Sequence, residues 1–192
     1  MAYGAGDGQM NICVYCSAND TIDAKYFAIA GHLGARIAEG GHQLVYGGAS
    51  VGLMGAVARA VHQGGGRVLG VIPQKLMDRE LAYRNADELI VTKGMRERKA
   101  MMEARADAFI ALPGGIGTLE EVFEIMTLRY LGMTEKPMIL LDVDGFYQPL
   151  IHLLDHMQAE HFIRGHYHDY LHYAANVDSA FEHIERVRSS QS

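Results

Sequence analysis

The run Ala111-Leu112-Pro113-Gly114-Gly115-Ile116-Gly117-Thr118-Leu119-Glu120-Glu121 joins two chemistries in one short segment. Glycines let a backbone approach a ligand closely, and the free N–H groups at a helix start attract anions such as phosphate. The carboxylates of Glu120 and Glu121, expected in the first turn of the following helix, are unsuited to holding phosphate themselves. The combination suggests a site that grips a phosphorylated molecule and acts on it. Upstream, Arg96-Glu97-Arg98-Lys99 places two cations, Arg98 and Lys99, where they can reach the same strand ends. Arginine suits bidentate contact with phosphate or a developing anion. A second glycine-rich turn, Gly47-Gly48-Ala49-Ser50-Val51-Gly52-Leu53-Met54-Gly55, brings Gly48, Ser50 and Met54 to the same crevice. Glu80 lies in a loop facing that edge, and the hydroxyls of Ser17, Ser50 and Thr118 suit hydrogen bonds to phosphate better than nucleophilic attack.

Several familiar chemistries fail on spacing. Gly47 and Gly52 have the interval of a Walker loop, but Leu53 stands where its lysine is required. Gly115-Ile116-Gly117 opens a dinucleotide fingerprint whose third glycine is replaced by Glu120. The chain has 10 histidines, and none forms a zincin pattern, so surface roles are expected and no metal. Cys13 and Cys16 make a single CxxC on a strand instead of at a helix start, and are expected as ordinary buried thiols. Tight strand-to-helix turns alone would account for one glycine cluster more easily than for two.

These residues need a scaffold that brings separated turns to one edge. Apolar runs at Ile12 to Cys16, His42 to Tyr46, Arg67 to Ile72, Glu88 to Val91, Ala108 to Leu112 and Met138 to Val143 read as strands. Between and after them, helical spacing marks Tyr26 to Ile37, Val51 to His62, Arg96 to Arg105, Thr118 to Leu131, Tyr147 to Ala159 and Ser179 to Val187. Strands without clean alternation are buried on both faces, which predicts a three-layer α/β domain with a mostly parallel central sheet. In such sheets ligands bind beyond the carboxyl ends of the strands, where the strand order reverses. The chain's 192 residues suit a single domain over 11–188, with residues 1–10 as a leader lacking signal-peptide features. A net charge of -6 argues against duplex nucleic acid as partner. No run approaches the roughly 18 apolar residues of a membrane span. The cytoplasm is the expected compartment.

The motif Pro113-Gly114-Gly115-Ile116-Gly117-Thr118-Leu119-Glu120-Glu121 resembles the PGGxGTxxE signature of the LONELY GUY (LOG) family, cytokinin riboside 5'-monophosphate phosphoribohydrolases often described as lysine decarboxylases. The Gly47–Gly55 turn, the Arg79-Glu80 pair and Met95-Arg96-Glu97-Arg98-Lys99-Ala100-Met101 are similar too, and the likeness runs from about Asn11 to Phe162. The resemblance implies a Rossmann-like fold, a homodimer, no metal or organic cofactor, and hydrolysis of the N-glycosidic bond of adenosine-type 5'-monophosphates to free base and ribose 5-phosphate. It implies catalytic roles for Arg98 and Glu121. It implies substrate contacts for Glu80, Lys99, Thr127 and the stretch Gly115, Ile116, Gly117, Thr118, Leu119, Glu120 and Glu121. Ser17-Ala18-Asn19-Asp20 departs from the Gly-Ser-Ser-like turn common in the family, and the His/Tyr-rich tail is unlike plant members. Glu121 would oppose the cationic sugar and serve as general base, and Glu80 would bind a ribose hydroxyl or the base edge. Arg98 would position substrate or stabilise charge on the departing base or the phosphate. The alternative is a non-catalytic nucleotide or molybdenum-cofactor carrier, which would need the glycine turns but no Arg98–Glu121 pair.

Overall fold

The computed structural model describes residues 8–79 and 81–191; Glu80 and the first seven residues of the chain lie outside the described residues. Seven strands form one sheet: β1 (Asn11–Tyr15), β2 (Gln43–Tyr46), β3 (Arg67–Pro73), β4 (Glu88–Thr92), β5 (Ala108–Ala111), β6 (Met138–Leu141) and β7 (His172–Ala174). Their order is β4-β3-β2-β1-β5-β6-β7, and every neighbouring pair is parallel. The helices are α1 (Ala24–Glu39), α2 (Gly52–Gln63), α3 (Gln74–Met77), α4 (Met95–Arg105), α5 (Ile116–Tyr130), α6 (Gln148–Ala159) and α7 (Val177–Gln191).

Parallel strands need crossovers, and the crossovers cover both faces of the sheet. On one face α1, α2 and α7 pack through Leu33, Ile37, Val57, Val61 and Phe181 onto Ile12, Val14, Leu44 and Ile110. On the other, Met102 of α4, Val122 and Ile125 of α5 and Leu154 of α6 meet Cys13, Val45, Phe109 and Leu140. Successive residues of β1 alternate between the two cores, so Cys13 and Cys16 face opposite sides and both thiols are buried and free. Local signals set the helix limits. The Asp23 carboxylate accepts the Lys25 N–H at 2.9 Å to start α1, and Gly40 ends it.

The order reverses between β1 and β5, as the sheet grows first through β2 to β4 and then outward through β5 to β7. The crevice at that reversal is where the two glycine-rich turns meet. Three expectations need correction. Met10, assigned to the leader, is buried and its carbonyl accepts the Gln43 N–H at 2.9 Å. At the other end α7 extends to Gln191, past the expected domain limit. Most consequentially, α5 starts at Ile116 with Gly115 as its N-cap, so Glu120 and Glu121 fall in its second turn and no acidic residue lies in its first. No helix among the described residues is long and apolar enough to cross a membrane.

Candidate active site

A cavity of about 630 Å³ opens beyond the carboxyl ends of β1, β2, β3 and β5. One wall is the start of α5. Tyr147 O–H donates to the Leu112 carbonyl at 2.7 Å, pinning the chain just before the glycine turn. Gly114 is needed there because a Cβ would fall 2.1 Å from Thr118 Oγ1. A Cβ at Gly115 or Gly117 would meet only open space, so the bare backbone faces the cavity. The first N–H groups of any α-helix lack intrahelical partners, and the N-cap residue of α5 makes no side-chain cap bond.

At the floor, Arg98 from α4 and Glu121 from α5 form an ion pair, with Nη1 to Oε1 at 2.7 Å and each side chain only 6% exposed. Arg98 Nε–H donates to the Val71 carbonyl at 3.1 Å, fixing the guanidinium at the end of β3. Burial pushes the Glu121 carboxyl above its ordinary value, and the adjacent Arg98 guanidinium opposes that shift. A carboxylate that protonates more readily than usual, in contact with a cavity, is suited to moving protons. Glu120, one residue earlier, is exposed at the rim of the cavity, with its carboxylate on Lys99.

Of the residues singled out from sequence, Ser17, Met54, Arg98, Gly115, Gly117, Thr118, Glu120 and Glu121 line this cavity. Gly48, Ser50, Lys99, Ile116, Leu119 and Thr127 do not line it. Gly48 has φ +76° and backs onto Ile72. The Ser50 hydroxyl, expected to face phosphate, donates instead to the Leu81 carbonyl at 3.2 Å. Ile116 is 89% exposed, Leu119 packs against the core, and Thr127 Oγ1 donates to the Phe123 carbonyl at 2.6 Å. Lys99 is engaged by Glu120 and, at 2.9 Å, by Glu124. Sequence reasoning missed an apolar stretch of wall, Val51, Ile72, Leu76, Leu81 and Met95, contributed by the β2 and β3 side. Val51 and Met95 lie inside the Gly47–Gly55 and Met95–Met101 motifs, which was the available signal, whereas single aliphatic residues such as Ile72, Leu76 and Leu81 carry no motif.

A family described as "Possible lysine decarboxylase" matches residues 54–184. The rice (Oryza sativa subsp. japonica) protein named cytokinin riboside 5'-monophosphate phosphoribohydrolase LOG is 51% identical over 152 residues, covering 79% of this chain and 63% of the rice protein. The Arabidopsis thaliana protein of the same description named LOG7 is 49% identical over 152 residues, covering 79% of this chain and 70% of its own. The chain belongs to the LOG family. It spans less than two thirds of the rice protein's length. Among solved structures, the molybdenum cofactor carrier protein of Chlamydomonas reinhardtii superposes on this LOG-family chain with a TM-score of 0.72 at 23% identity, over 94% of this chain and 99% of the carrier. That likeness concerns the fold.

The decarboxylase description implies pyridoxal phosphate on a lysine, which must be held neutral to form a Schiff base. No lysine among the described residues lines the cavity, and Lys99, next to Arg98, is engaged by the Glu120 carboxylate, whose hydrogen bond raises its ammonium above the ordinary value. The residues of this LOG-family site do not fit that cofactor.

Proposed function

We propose that the protein hydrolyses the N-glycosidic bond of adenosine-type nucleoside 5'-monophosphates, N6-modified ones included, releasing the free base and ribose 5-phosphate. The observation that carries this reading is the buried Arg98–Glu121 pair at the floor of a cavity whose rim is the glycine-rich start of α5. The named activity of the rice and Arabidopsis relatives supports it.

The arrangement divides the substrate by chemistry. The backbone N–H groups at Gly117 and Thr118 take the phosphate. The apolar side formed by Met54, Ile72, Leu76, Leu81 and Met95 takes the base. C1' of the ribose then lies between them, over Glu121. As the C1'–N bond breaks, its electron pair leaves with the base and positive charge grows on the sugar. Glu121 opposes that charge and accepts a proton from the water that adds to C1', and that proton passes on to the departing base, so one water is consumed and Glu121 returns to its ionised form. Arg98 holds the Glu121 carboxylate in place and balances its charge between turnovers. Glu80, outside the described residues, keeps its proposed role at a ribose hydroxyl or the base edge. No resident cofactor enters these steps.

We also propose a homodimer formed through α5. The apolar residues of α5 divide between two environments: Val122 and Met126 are buried in the core, while Phe123 and Tyr130 remain 38% and 39% exposed. With Ile116 they recur every seventh residue on the outer face of α5, alongside exposed Leu131 and Met133.

Incubation with AMP, N6-isopentenyl AMP and adenosine, followed by chromatography for free base and ribose 5-phosphate, tests the activity. Turnover of the monophosphates with far slower turnover of adenosine is expected. Tight nucleotide binding without ribose 5-phosphate release would favour the carrier reading.

A further inference from the structure

The two glycine-rich turns are not equivalent at their helix starts. The first N–H groups of α2 are occupied from outside the helix. Gly52 N–H donates to Asp20 Oδ1 at 2.7 Å. Leu53 N–H donates to the Ser17 carbonyl at 2.9 Å, and Met54 N–H approaches the same oxygen at 3.4 Å. Gly55 N–H then bonds to the Val51 carbonyl at 3.0 Å, the first bond within the helix. The Asp20 carboxylate therefore sits at the positive end of α2, where a negative charge is favoured.

Contact between the two segments is close. Gly52 has φ +58°, and a Cβ there would fall 2.5 Å from the Ala18 carbonyl carbon. Inside the loop, Asn19 N–H donates to Ser17 Oγ at 3.1 Å and Thr21 N–H donates to Asn19 Oδ1 at 2.9 Å. These bonds shape the loop, and the bond that Asp20 accepts from Gly52 N–H ties it to a neighbouring helix. Ser17, Ala18 and Asn19 are cavity wall. They follow β1, which pairs with β5, and Leu112 N–H donates to the Tyr15 carbonyl at 2.9 Å. The loop thus stands beside the open start of α5.

We propose that Asp20 is a positioning residue for the phosphate end of the cavity: by tying the loop after β1 to the start of α2, it holds the Ser17–Asn19 wall beside the start of α5, where the ribose 5-phosphate moiety binds. The inference rests on the phosphoribohydrolase reading above. Asp20 is not itself part of the cavity wall. Its effect passes through the loop, which in its absence must be ordered by the ligand at a cost in affinity.

The test uses ribose 5-phosphate and adenine as product inhibitors of AMP hydrolysis, with ribose 5-phosphate binding also measured directly by calorimetry. Asp20→Ala is expected to weaken ribose 5-phosphate about tenfold and raise KM for AMP similarly, with kcat and adenine inhibition changed less than about threefold. Asp20→Asn retains an acceptor oxygen for Gly52 N–H and is expected to restore ribose 5-phosphate binding to within about threefold of wild type. A general structural defect would weaken adenine and ribose 5-phosphate alike and lower kcat. Unchanged ribose 5-phosphate binding in Asp20→Ala, or an equal loss in both variants, overturns the role of Asp20 while leaving the activity standing. A wild-type protein that neither binds nor releases ribose 5-phosphate overturns both.

Discussion

Gly47 leaves the space that the Arg98 guanidinium occupies, since a Cβ at Gly47 would lie 2.0 Å from Arg98 Nη2. The first glycine-rich turn therefore serves the site by shaping it around a buried cation. Gly47→Ala is expected to push Arg98 off Glu121 and lower kcat/KM by about 10²-fold, the usual scale for misplacing a reacting group by an ångström. Steady-state kinetics with a thermal melt checks this. Wild-type kinetics in a folded Gly47→Ala protein would show that the guanidinium position is immaterial.

The raised Glu121 carboxyl predicts a pH profile. Burial favours its protonated form, so its ionisation lies above the ordinary 4.5 in the folded protein. If the ionised form is required, kcat/KM falls as pH drops through that raised value. The acid limb should sit above an ordinary glutamate titration and vanish from whatever activity Glu121→Gln retains. A limb at the ordinary value, or one that persists in Glu121→Gln, would assign it to another group.

A second titration concerns stability, away from the cavity. The rings of His172 on β7 and His183 on α7 stack at 3.6 Å. Burial lowers His183 to about 4, and the neighbouring His172, Arg186 and Arg129 act in the same direction. An unfolded histidine near 6.5 binds a proton that the folded one refuses, so stability is lost as pH falls from about 6.5 to about 4 and levels off below. Thermal melts across that range are expected to show a decline that His183→Asn flattens. Identical slopes for the two proteins would exclude the stacked pair as its source.

The exposed α5 stripe predicts the assembly state. Light scattering is expected to give twice the mass of one chain, and Phe123→Glu, which places a charge in the stripe, is expected to give single chains at the same concentration. A wild-type protein at the mass of one chain at working concentration contradicts the dimer.

Much of the architecture was legible because alternating strand and helix patterns are long and apolar. The misses have local causes. Gly115-Ile116-Gly117 reads as a helix breaker, yet glycine is tolerated at and just after an N-cap, so α5 begins at Ile116 instead of Thr118. The strand His172–Ala174 and the helix Gln74–Met77 are too short to show a period. At the site, Arg98 and Glu121 were visible through the motif, but their mutual contact depends on how α4 and α5 pack on the sheet. Ser50 misled because a hydroxyl in a glycine-rich turn has the same composition whether it faces a ligand or a backbone carbonyl. Its partner, Leu81, is 31 residues away.

The charge of Glu121 is the centre of the proposed mechanism. Because α5 starts at Ile116, Glu121 lies beyond its first turn and cannot be explained as a helix-start cap. Glu121→Gln keeps the size and an acceptor for Arg98 while removing the charge, and Glu120→Gln makes the same change on the exposed neighbour. Steady-state kinetics of both on AMP, with melts as folding controls, is the decisive measurement. The expected result is a kcat lower by about 10²-fold or more in Glu121→Gln, with nucleotide affinity little changed and Glu120→Gln far less affected. A folded Glu121→Gln protein with near wild-type kcat would contradict the mechanism.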